Sequence, residues 1–256
     1  MDDFKDFIAK VYKKSGLDLA QYKEPQMKRR LTSLYVKHGY HNFNEFFDAI
    51  DKDRKMFDEF LDRMTINVSE FFRNANRWQI LQDKIFPKLL KENSQLKVWS
   101  AACSTGEEPY TLAIILSEMM PSARINVLAT DIDESAINKA KEGIYAKRSL
   151  QEVPPKLVGK YFTETAKGYS ISEDIKKRVT FKKHNLLADR FESNFDLIVC
   201  RNVMIYFTDE AKHELYTNFS KSLRPGGVLF VGSTEQIFNP NAYSFKALDT
   251  FFYEKQ

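Results

Sequence analysis

The sequence predicts an α/β protein in which an all-helical domain precedes a Rossmann-like, doubly wound sheet. Residues 1 to 75 show helical periodicity and almost no β-branched runs, whereas apolar runs of strand length alternate with helical ones from Leu96 onward. Such alternation predicts parallel strands joined by crossover helices, which is the doubly wound arrangement. We therefore place a helical domain with its linker at 1–75 and a sheet domain at 76–256.

Five apolar runs in the second domain read as buried strands, and the segments between them supply the crossover helices. The strands are predicted at 96–102, 125–131, 178–185, 195–202 and 226–235, and the helices at 105–120, 134–145 and 209–224. The C-terminal segment FKALDTFFYEK follows the fifth strand after the turn NPN. We expect it to close the sheet as an antiparallel hairpin.

One connection is much longer than the others. The stretch from Ala146 to Lys177 separates the second helix from the third strand, whereas such connections usually take ~2–6 residues. We predict that it forms a small subdomain inserted into the sheet domain.

Composition excludes several classes of protein. At 256 residues, with 43% hydrophobic and 29% charged side chains, the chain can bury a full core. Its start is acidic where a secretory signal would be basic, and no apolar run approaches the ~20 residues that span a bilayer. We therefore expect a soluble cytoplasmic protein. A net charge of +4 gives no strong argument for a nucleic-acid partner.

The cysteine and histidine content supports neither a disulfide scaffold nor a metal site. Cys103 and Cys200 lie far apart in the chain, and the four histidines fall into no spacing typical of metal ligands. We expect both cysteines to be ordinary buried packing residues.

The turn after the first strand, from Ser100 to Gly106, is the predicted ligand site. In an open parallel sheet, ligands bind at the carboxyl ends of the strands, near the point where strand order reverses. Glycines in such a turn let the backbone approach a ligand closely. Here only Gly106 is a glycine, but the residues before it (AACST) are all small and partly substitute for the missing ones.

Acidic residues around this turn indicate which ligand it binds. Glu107 and Glu108 open the following helix, and two negative charges there disfavour a diphosphate but suit a cationic amino group. Asp131 ends the second strand, where an acidic residue commonly holds ribose hydroxyls. An adenosine with an ammonium group and no phosphate describes S-adenosylmethionine. The alternative is that the two glutamates only stabilise the helix dipole.

Six motifs follow one another along nearly the whole chain: MTINVSEFFR, WSAACSTGEEPYTLA, ATDID, HNLL, FDLIVCRNVMIYF and GGVLFVGSTE. In this order and approximate spacing they resemble the CheR proteins, the chemotaxis receptor glutamate O-methyltransferases. The resemblance implies a class I S-adenosylmethionine-dependent methyltransferase fold, with S-adenosylhomocysteine as product. The broader class carries acid-x-Gly-x-Gly-x-Gly, which here reads Ser100-x-Ala102-x-Ser104-x-Gly106; this small-residue version is typical of the CheR family.

The resemblance also implies roles for individual residues. Asn67, Ser69 and Arg73 would reach the cofactor from the linker, Glu107 would bind the methionyl ammonium, and Asp131 would bind the ribose. The remaining implied cofactor contacts are Ala101, Asn185, Leu186, Asn202 and Val203, and the implied catalytic residues are Arg73 and Tyr206. Asn67 and Ser69 could instead cap a helix, and Tyr206 could be a packing residue.

The implied chemistry explains why no strong His/Asp pair appears among the motifs. A glutamate side chain, with a reference pKa of ~4.3, is already an anion at neutral pH, so no general base is needed. The carboxylate can attack the sulfonium methyl in line. Positioning and the exclusion of water are then most of what the protein must supply.

The segment PQMKRRLTSLYVKHG in the helical domain is an amphipathic helix with a basic stripe. Its apolar face carries Met27, Leu31, Leu34 and Tyr35, and its basic stripe carries Arg29, Arg30 and Lys37 beside Ser33. With the family resemblance, the stripe becomes a docking surface for the acidic faces of receptor helices. The alternative is an ordinary solvated face.

The resemblance implies an enzyme that is recruited to membrane receptor arrays and acts as a monomer, with the cytoplasmic helical domain of the receptors as partner. Two other functions stay open on the residues alone. One is a non-catalytic regulator that binds S-adenosylmethionine. The other is a nicotinamide-dependent oxidoreductase, which the missing G-x-G-x-x-G and the glutamates after Gly106 disfavour.

Overall fold

The computed structural model describes residues 3–65, 69–121 and 125–256. Its first part is a bundle of four helices: α1 (Asp3–Ser15), α2 (Glu24–Lys37), α3 (Phe43–Lys52) and α4 (Arg54–Thr65). Their apolar faces meet in an aromatic core in which Phe7 touches the rings of Phe43, Phe46 and Phe60. Helix α3 begins at a side-chain cap, where Asn42 accepts a hydrogen bond from the Glu45 amide.

A long helical segment leads from the bundle to the sheet. It consists of α5 (Ala75–Ile80), a π-helical turn (Leu81–Ile85) and α6 (Phe86–Glu92). Trp78, Leu81 and Phe86 are buried along it and belong to the core of the sheet domain, so the segment packs against the large sheet. The five remaining helices are α7 (Glu107–Met119), α8 (Glu134–Glu142), α9 (Pro155–Tyr161), α10 (Glu173–Lys176) and α11 (Asp209–Ser222).

Ten strands are described in two sheets. They are β1 (Lys97–Ala101), β2 (Asn126–Asp131), β3 (Ile144–Tyr145), β4 (Phe162–Thr165), β5 (Gly168–Ile171), β6 (Val179–Lys183), β7 (Phe195–Cys200), β8 (Leu223–Val231), β9 (Phe245–Asp249) and β10 (Phe252–Lys255). The large sheet has the order β6-β2-β1-β7-β8-β10-β9. Strands β6, β2, β1, β7 and β8 run parallel, and β10 is antiparallel to both of its neighbours.

Strand order reverses at β1, which lies between β2 on one side and β7 on the other. The chain leaves β1 toward β2 and β6 and later returns to β7 on the other side. A crevice therefore opens at the carboxyl ends of β1, β2 and β7, because crossovers on either side diverge there.

The small sheet has the order β3-β5-β4 and belongs to the stretch between α8 and β6. It packs against the linker and the first turn of the large sheet. The Tyr145 hydroxyl donates to the Thr105 carbonyl at 2.9 Å, and the Phe71 ring meets the rings of Tyr145 and Phe162 edge-on. The insertion thus supports the same edge of the sheet that carries the crevice.

The predicted fold class is confirmed, including the antiparallel hairpin at the C terminus. One strand differs from its prediction: β6 was expected to be buried, but only Val179 of its five residues is buried. The reason is that β6 is the edge strand of the sheet, so its outer side faces solvent. Within the described ranges, none of the helices combines the length and the apolar character that crossing a bilayer requires.

Candidate functional site

The turn after β1 takes a backbone conformation that usually calls for glycine. Ala102, Ser104 and Gly106 have φ values of 61°, 48° and 94°, so every second residue lies in the left-handed region. For residues with a Cβ this conformation costs roughly 1–2 kcal/mol each. Alanine and serine therefore stand where glycine is expected, and the turn keeps its shape at the cost of local strain. Strain of this kind is concentrated at binding sites.

The Asp131 carboxylate holds this turn in place. Its Oδ2 accepts a hydrogen bond from the Ser104 amide at 2.7 Å, and its Oδ1 accepts one from the Asp133 amide at 2.9 Å. Burial raises the pKa of Asp131 to about 6. Each carboxylate oxygen still has a lone pair for a second donor. The end of β2 can therefore accept two hydroxyl groups from a ligand.

A cavity of about 950 Å³, its open mouth included, lies over these strand ends. It collects residues from the linker, from the loops after β1, β2, β6 and β7, and from the helical bundle. The lining residues are Tyr22, Met64, Ser69, Glu70, Arg73, Ala102, Cys103, Ser104, Glu108, Asp131, Ile132, His184, Asn185, Leu186, Leu187, Arg201, Asn202, Val203, Tyr206 and Phe207. Tyr22 and Met64 come from the helical bundle, so the bundle forms part of the wall.

Most of the residues predicted for the site line this one cavity. They are Ser69, Arg73, Asp131, Asn185, Leu186, Asn202, Val203 and Tyr206. Asn67 lies outside the described residues. Ala101 ends β1 fully buried and is absent from the lining, where its neighbour Ala102 takes its place.

The two glutamates at the start of α7 face different neighbours. The Glu107 carboxylate accepts a hydrogen bond from the Thr105 hydroxyl at 2.7 Å and lines an adjoining depression, which shares Ser69 and Glu70 with the cavity. Glu108 faces the cavity instead, where the Ser100 hydroxyl donates to it at 2.9 Å. Burial raises the pKa of both glutamates. Glu108 thus lines the cavity 3.6 Å from the Arg201 guanidinium, and Glu107 as the contact of the ammonium group stays a prediction.

The loop after β7 is held by a buried carboxylate that sequence reasoning missed. Glu235 accepts hydrogen bonds from the amides of Asn202 at 2.7 Å, Gly232 at 2.8 Å and Ile205 at 3.3 Å. Asn202 has a φ of 61°, so this loop is also strained. Glu235 ends the motif GGVLFVGSTE, and its position after a buried strand was the available signal.

Residues 21–23 of the helical bundle, here called the strap, pair with residues 206–208 and close one side of the cavity. The Lys23 amide donates to the Tyr206 carbonyl at 2.8 Å, and the Thr208 amide donates to the Gln21 carbonyl at 2.9 Å. Between these bonds, the rings of Tyr22 and Phe207 meet edge-on at 5.1 Å. The strap fixes the bundle next to the loop that carries Tyr206.

The basic stripe of α2 is only partly exposed as predicted. Its apolar face is confirmed, since Met27, Leu31 and Leu34 are buried. Arg29 is exposed, but the Arg30 guanidinium lies 4.7 Å from the centre of the Tyr206 ring. Lys37 donates to Glu59 at 2.9 Å. The Glu59 carboxylate offsets the positive charge of Lys37, whereas Arg30 lies beside Tyr206, a residue that lines the cavity.

Comparison with known proteins gives matches over both parts of the chain. The all-alpha domain of CheR methyltransferases matches residues 2–65, and their SAM binding domain matches residues 67–252. A chemotaxis protein methyltransferase of Listeria innocua is 46% identical over 254 residues, which covers 99% of this chain and 97% of that protein. Proteins of the same description from Borreliella burgdorferi and Escherichia coli are 37% and 32% identical, covering 92% and 88% of this chain and 88% and 81% of their own lengths.

The cavity fits the S-adenosylmethionine that the matched family binds. Asp131 offers acceptors for two ribose hydroxyls, and the turn with Ala102 and Ser104 lets the backbone come close. Glu70 in the lining supplies negative charge for a ligand with a positive sulfur and an ammonium group. Arg73 supplies positive charge for its carboxylate.

Proposed function

Because this chain belongs to the CheR methyltransferase family, we propose that it transfers methyl groups to glutamate side-chain carboxylates of membrane-bound chemotaxis receptors. The chain is an S-adenosylmethionine-dependent methyltransferase, a conclusion that replaces the oxidoreductase and the non-catalytic regulator. The observation that carries the proposal is the Arg30 guanidinium, which lies 4.7 Å from the ring centre of Tyr206 in the cavity wall. A cation beside an aromatic ring at this wall suits an anionic acceptor.

We assign the cofactor contacts to Ser69, Arg73, Asp131, Asn185, Leu186, Asn202 and Val203, with Asn67 and Ala101 as further contacts that the family resemblance implies. When bound, S-adenosylmethionine supplies a methyl group on a positively charged sulfur, and S-adenosylhomocysteine is the product. We keep Glu107 as the carboxylate for the ammonium group, as the family resemblance implies, while Glu108 balances the charge of the buried Arg201. Asp131 holds the ribose, Arg73 holds the carboxylate of the cofactor, and Tyr206 faces the acceptor carboxylate.

Positioning is the main task of these side chains. A receptor glutamate is an anion at neutral pH, so no residue of this chain has to remove a proton. His184 lines the cavity with its ring packed edge-on against Trp99, and burial lowers its pKa. The imidazole is therefore neutral at pH 7 and serves as packing at the wall. Tyr22, Met64 and Phe207 reduce the access of water from the side of the bundle.

Labelled methyl transfer to receptor-containing membranes tests the proposal. The purified protein is incubated with methyl-labelled S-adenosylmethionine and membranes that contain methyl-accepting receptors, and with membranes lacking them as control. Esters of glutamate are hydrolysed by mild base to methanol, whereas N-methyl groups are not. We expect label in the receptor band that mild base releases as volatile methanol. Base-stable label, or label without receptors, would contradict a glutamate ester.

Cofactor affinity should fall in acid because of Asp131. The pKa of this carboxyl is raised to about 6, so its charged form predominates above pH 6 and its neutral form below. Protonation removes an acceptor for ribose hydroxyls, so affinity is full above the raised pKa and declines as pH falls through it. Calorimetry with S-adenosylhomocysteine from about pH 8 to about pH 5 measures this. The Asp131→Asn variant should lack the transition, and an equal slope in both proteins would rule out Asp131 as its source.

We further propose that Arg29 and Arg30 recruit the enzyme to acidic receptor helices, as the partner surface on α2. Arg29→Ala combined with Arg30→Ala should leave S-adenosylhomocysteine affinity unchanged and depress receptor methylation, and the loss should shrink as salt screens the parent's attraction. Lys37→Ala is the matched control, since it removes one positive charge of the same helix that Glu59 already offsets. If the control loses as much activity as the double variant, docking does not depend specifically on Arg29 and Arg30.

A further inference from the structure

Arg201 is a buried cation that sits between the linker and the sheet. It follows β7 directly, and its side chain is only 3% exposed. A buried guanidinium is costly unless its charge and its donors are matched by partners. Its partners therefore show what this side chain is built to hold.

Two of these partners belong to the linker. The Arg201 Nη2 donates to the Arg73 carbonyl at 2.9 Å and to the Asn74 Oδ1 at 3.0 Å. The Trp78 indole also donates to the Arg73 carbonyl, at 3.0 Å. Asn74 has a φ of 63°, a left-handed conformation that asparagine tolerates better than most residues. The main chain at Arg73 and Asn74 is thus fixed by two donors and a turn residue.

The other partners anchor Arg201 itself. Its Nη1 lies 3.6 Å from the Glu108 carboxylate, and its guanidinium carbon lies 5.2 Å from the Trp78 ring centre and 4.9 Å from that of Phe230. Burial lowers the pKa of Arg201, Glu108 raises it, and the positive charge of Arg73 lowers it. Arg201 is joined to Arg73 through the main-chain oxygen of Arg73. The positive charges of the two side chains repel each other. The repulsion disfavours positions of the Arg73 side chain next to Arg201.

We propose that Arg201 is a positioning residue that acts through Arg73. By holding the Arg73 carbonyl and the Asn74 side chain, it orients the linker so that the Arg73 guanidinium stands in the cofactor cavity. Through its contact with Glu108, Arg201 also connects the linker to the start of α7 and the end of β7. The inference rests on the proposed function only for the acceptor, because its first readout is cofactor binding.

A double-mutant cycle tests whether the two arginines act through each other. Arg73→Ala, Arg201→Lys and the double variant are compared with the parent by calorimetry with S-adenosylhomocysteine. Lysine keeps the charge facing Glu108 but lacks the planar fork that reaches two acceptors. We expect each single variant to bind roughly ten- to a hundredfold more weakly. The double variant should bind no more weakly than Arg73→Ala alone.

A purely structural role for Arg201 gives a different result. It would lower the unfolding temperature and reduce affinity by the same factor in the presence and absence of Arg73. Additive losses therefore overturn the proposal, as does an Arg73→Ala variant that binds with parent affinity. Asn74→Gly serves as a second probe, because glycine accepts the left-handed backbone and removes only the Oδ1 acceptor. Its smaller loss should also vanish in the Arg73→Ala background, and it decides the question if Arg201→Lys does not fold.

The cycle also separates this inference from the proposed acceptor. If the parent protein binds S-adenosylhomocysteine but transfers no methyl to receptors, the proposed function fails while the binding cycle still decides the role of Arg201. If receptors are methylated, the turnover number measured at saturating cofactor should show the same loss of additivity.

Discussion

Gly106→Ala should lower the free energy of unfolding by about 2–5 kcal/mol, the sum of left-handed backbone strain and overpacking. Gly106 has a φ of 94°, and a Cβ built there would lie 2.8 Å from the Ala140 Cβ and 3.1 Å from the Tyr145 hydroxyl. The residue lies where the turn after β1, helix α8 and the small sheet come together. An added methyl group would push these three elements apart. Denaturant unfolding of parent and variant measures the loss.

Gly159→Ala is the matched control for this prediction. Gly159 lies inside α9, and a Cβ built there meets nothing within 4 Å. Alanine in a helix interior is more favourable than glycine by about 0.5–1 kcal/mol, so this variant should be slightly more stable. Equal stability of the two variants would mean that neither left-handed strain at position 106 nor the crowding of an added Cβ by Ala140 and Tyr145 destabilises the protein.

The sheet could be predicted because its information is local in the sequence. Each parallel strand is a largely apolar run such as FDLIVC, which forms β7 and is buried at all six positions. The segments between the strands show the helical spacing of apolar residues. The exposure of β6 could not be predicted in the same way. Whether a strand is central or at an edge depends on its neighbours in space, and these cannot be deduced from the local sequence RVTFKKHN.

The different surroundings of Glu107 and Glu108 show a limit of motif reading. Consecutive residues of a helix point about 100° apart, so a change of one position moves a side chain to another face. Both glutamates start α7, and both are mostly buried. Which of them faces the cavity depends on how α7 is rotated against β1. That rotation is set by tertiary packing, which the first residues of the helix do not specify.

Residues that act through main-chain contacts were the hardest to find. Glu235 reaches the site through the Asn202 amide, and Arg201, which also lines the cavity, holds the Arg73 carbonyl. Because every residue has main-chain amide and carbonyl groups, such contacts leave no recognisable motif in the sequence. The left-handed conformations of Ala102 and Ser104 were equally hidden, although the small size of these residues was a correct indication that the backbone comes close to a ligand.

Asp131→Ala should weaken cofactor binding roughly ten- to a hundredfold, which corresponds to the ~1.5–3 kcal/mol of a charged hydrogen bond. Asp131 is the acidic residue at the end of β2, and its oxygens already accept the amides of Ser104 and Asp133. Alanine removes the acceptor for the ribose hydroxyls. It also leaves the Ser104 amide without its acceptor, which loosens the strained turn after β1. Calorimetry with S-adenosylhomocysteine measures the affinity.

Glu134→Ala controls for the loss of a negative charge near the cavity. Glu134 is exposed three positions further along and pairs with Lys183 at 3.2 Å. A surface pair of this kind contributes little to stability, so the control should bind the cofactor like the parent. If Asp131→Ala is folded and keeps parent affinity, the ribose does not bind at the end of β2. If Glu134→Ala loses as much affinity as Asp131→Ala, the effect is one of overall charge, and a specific hydrogen bond from the ribose is excluded.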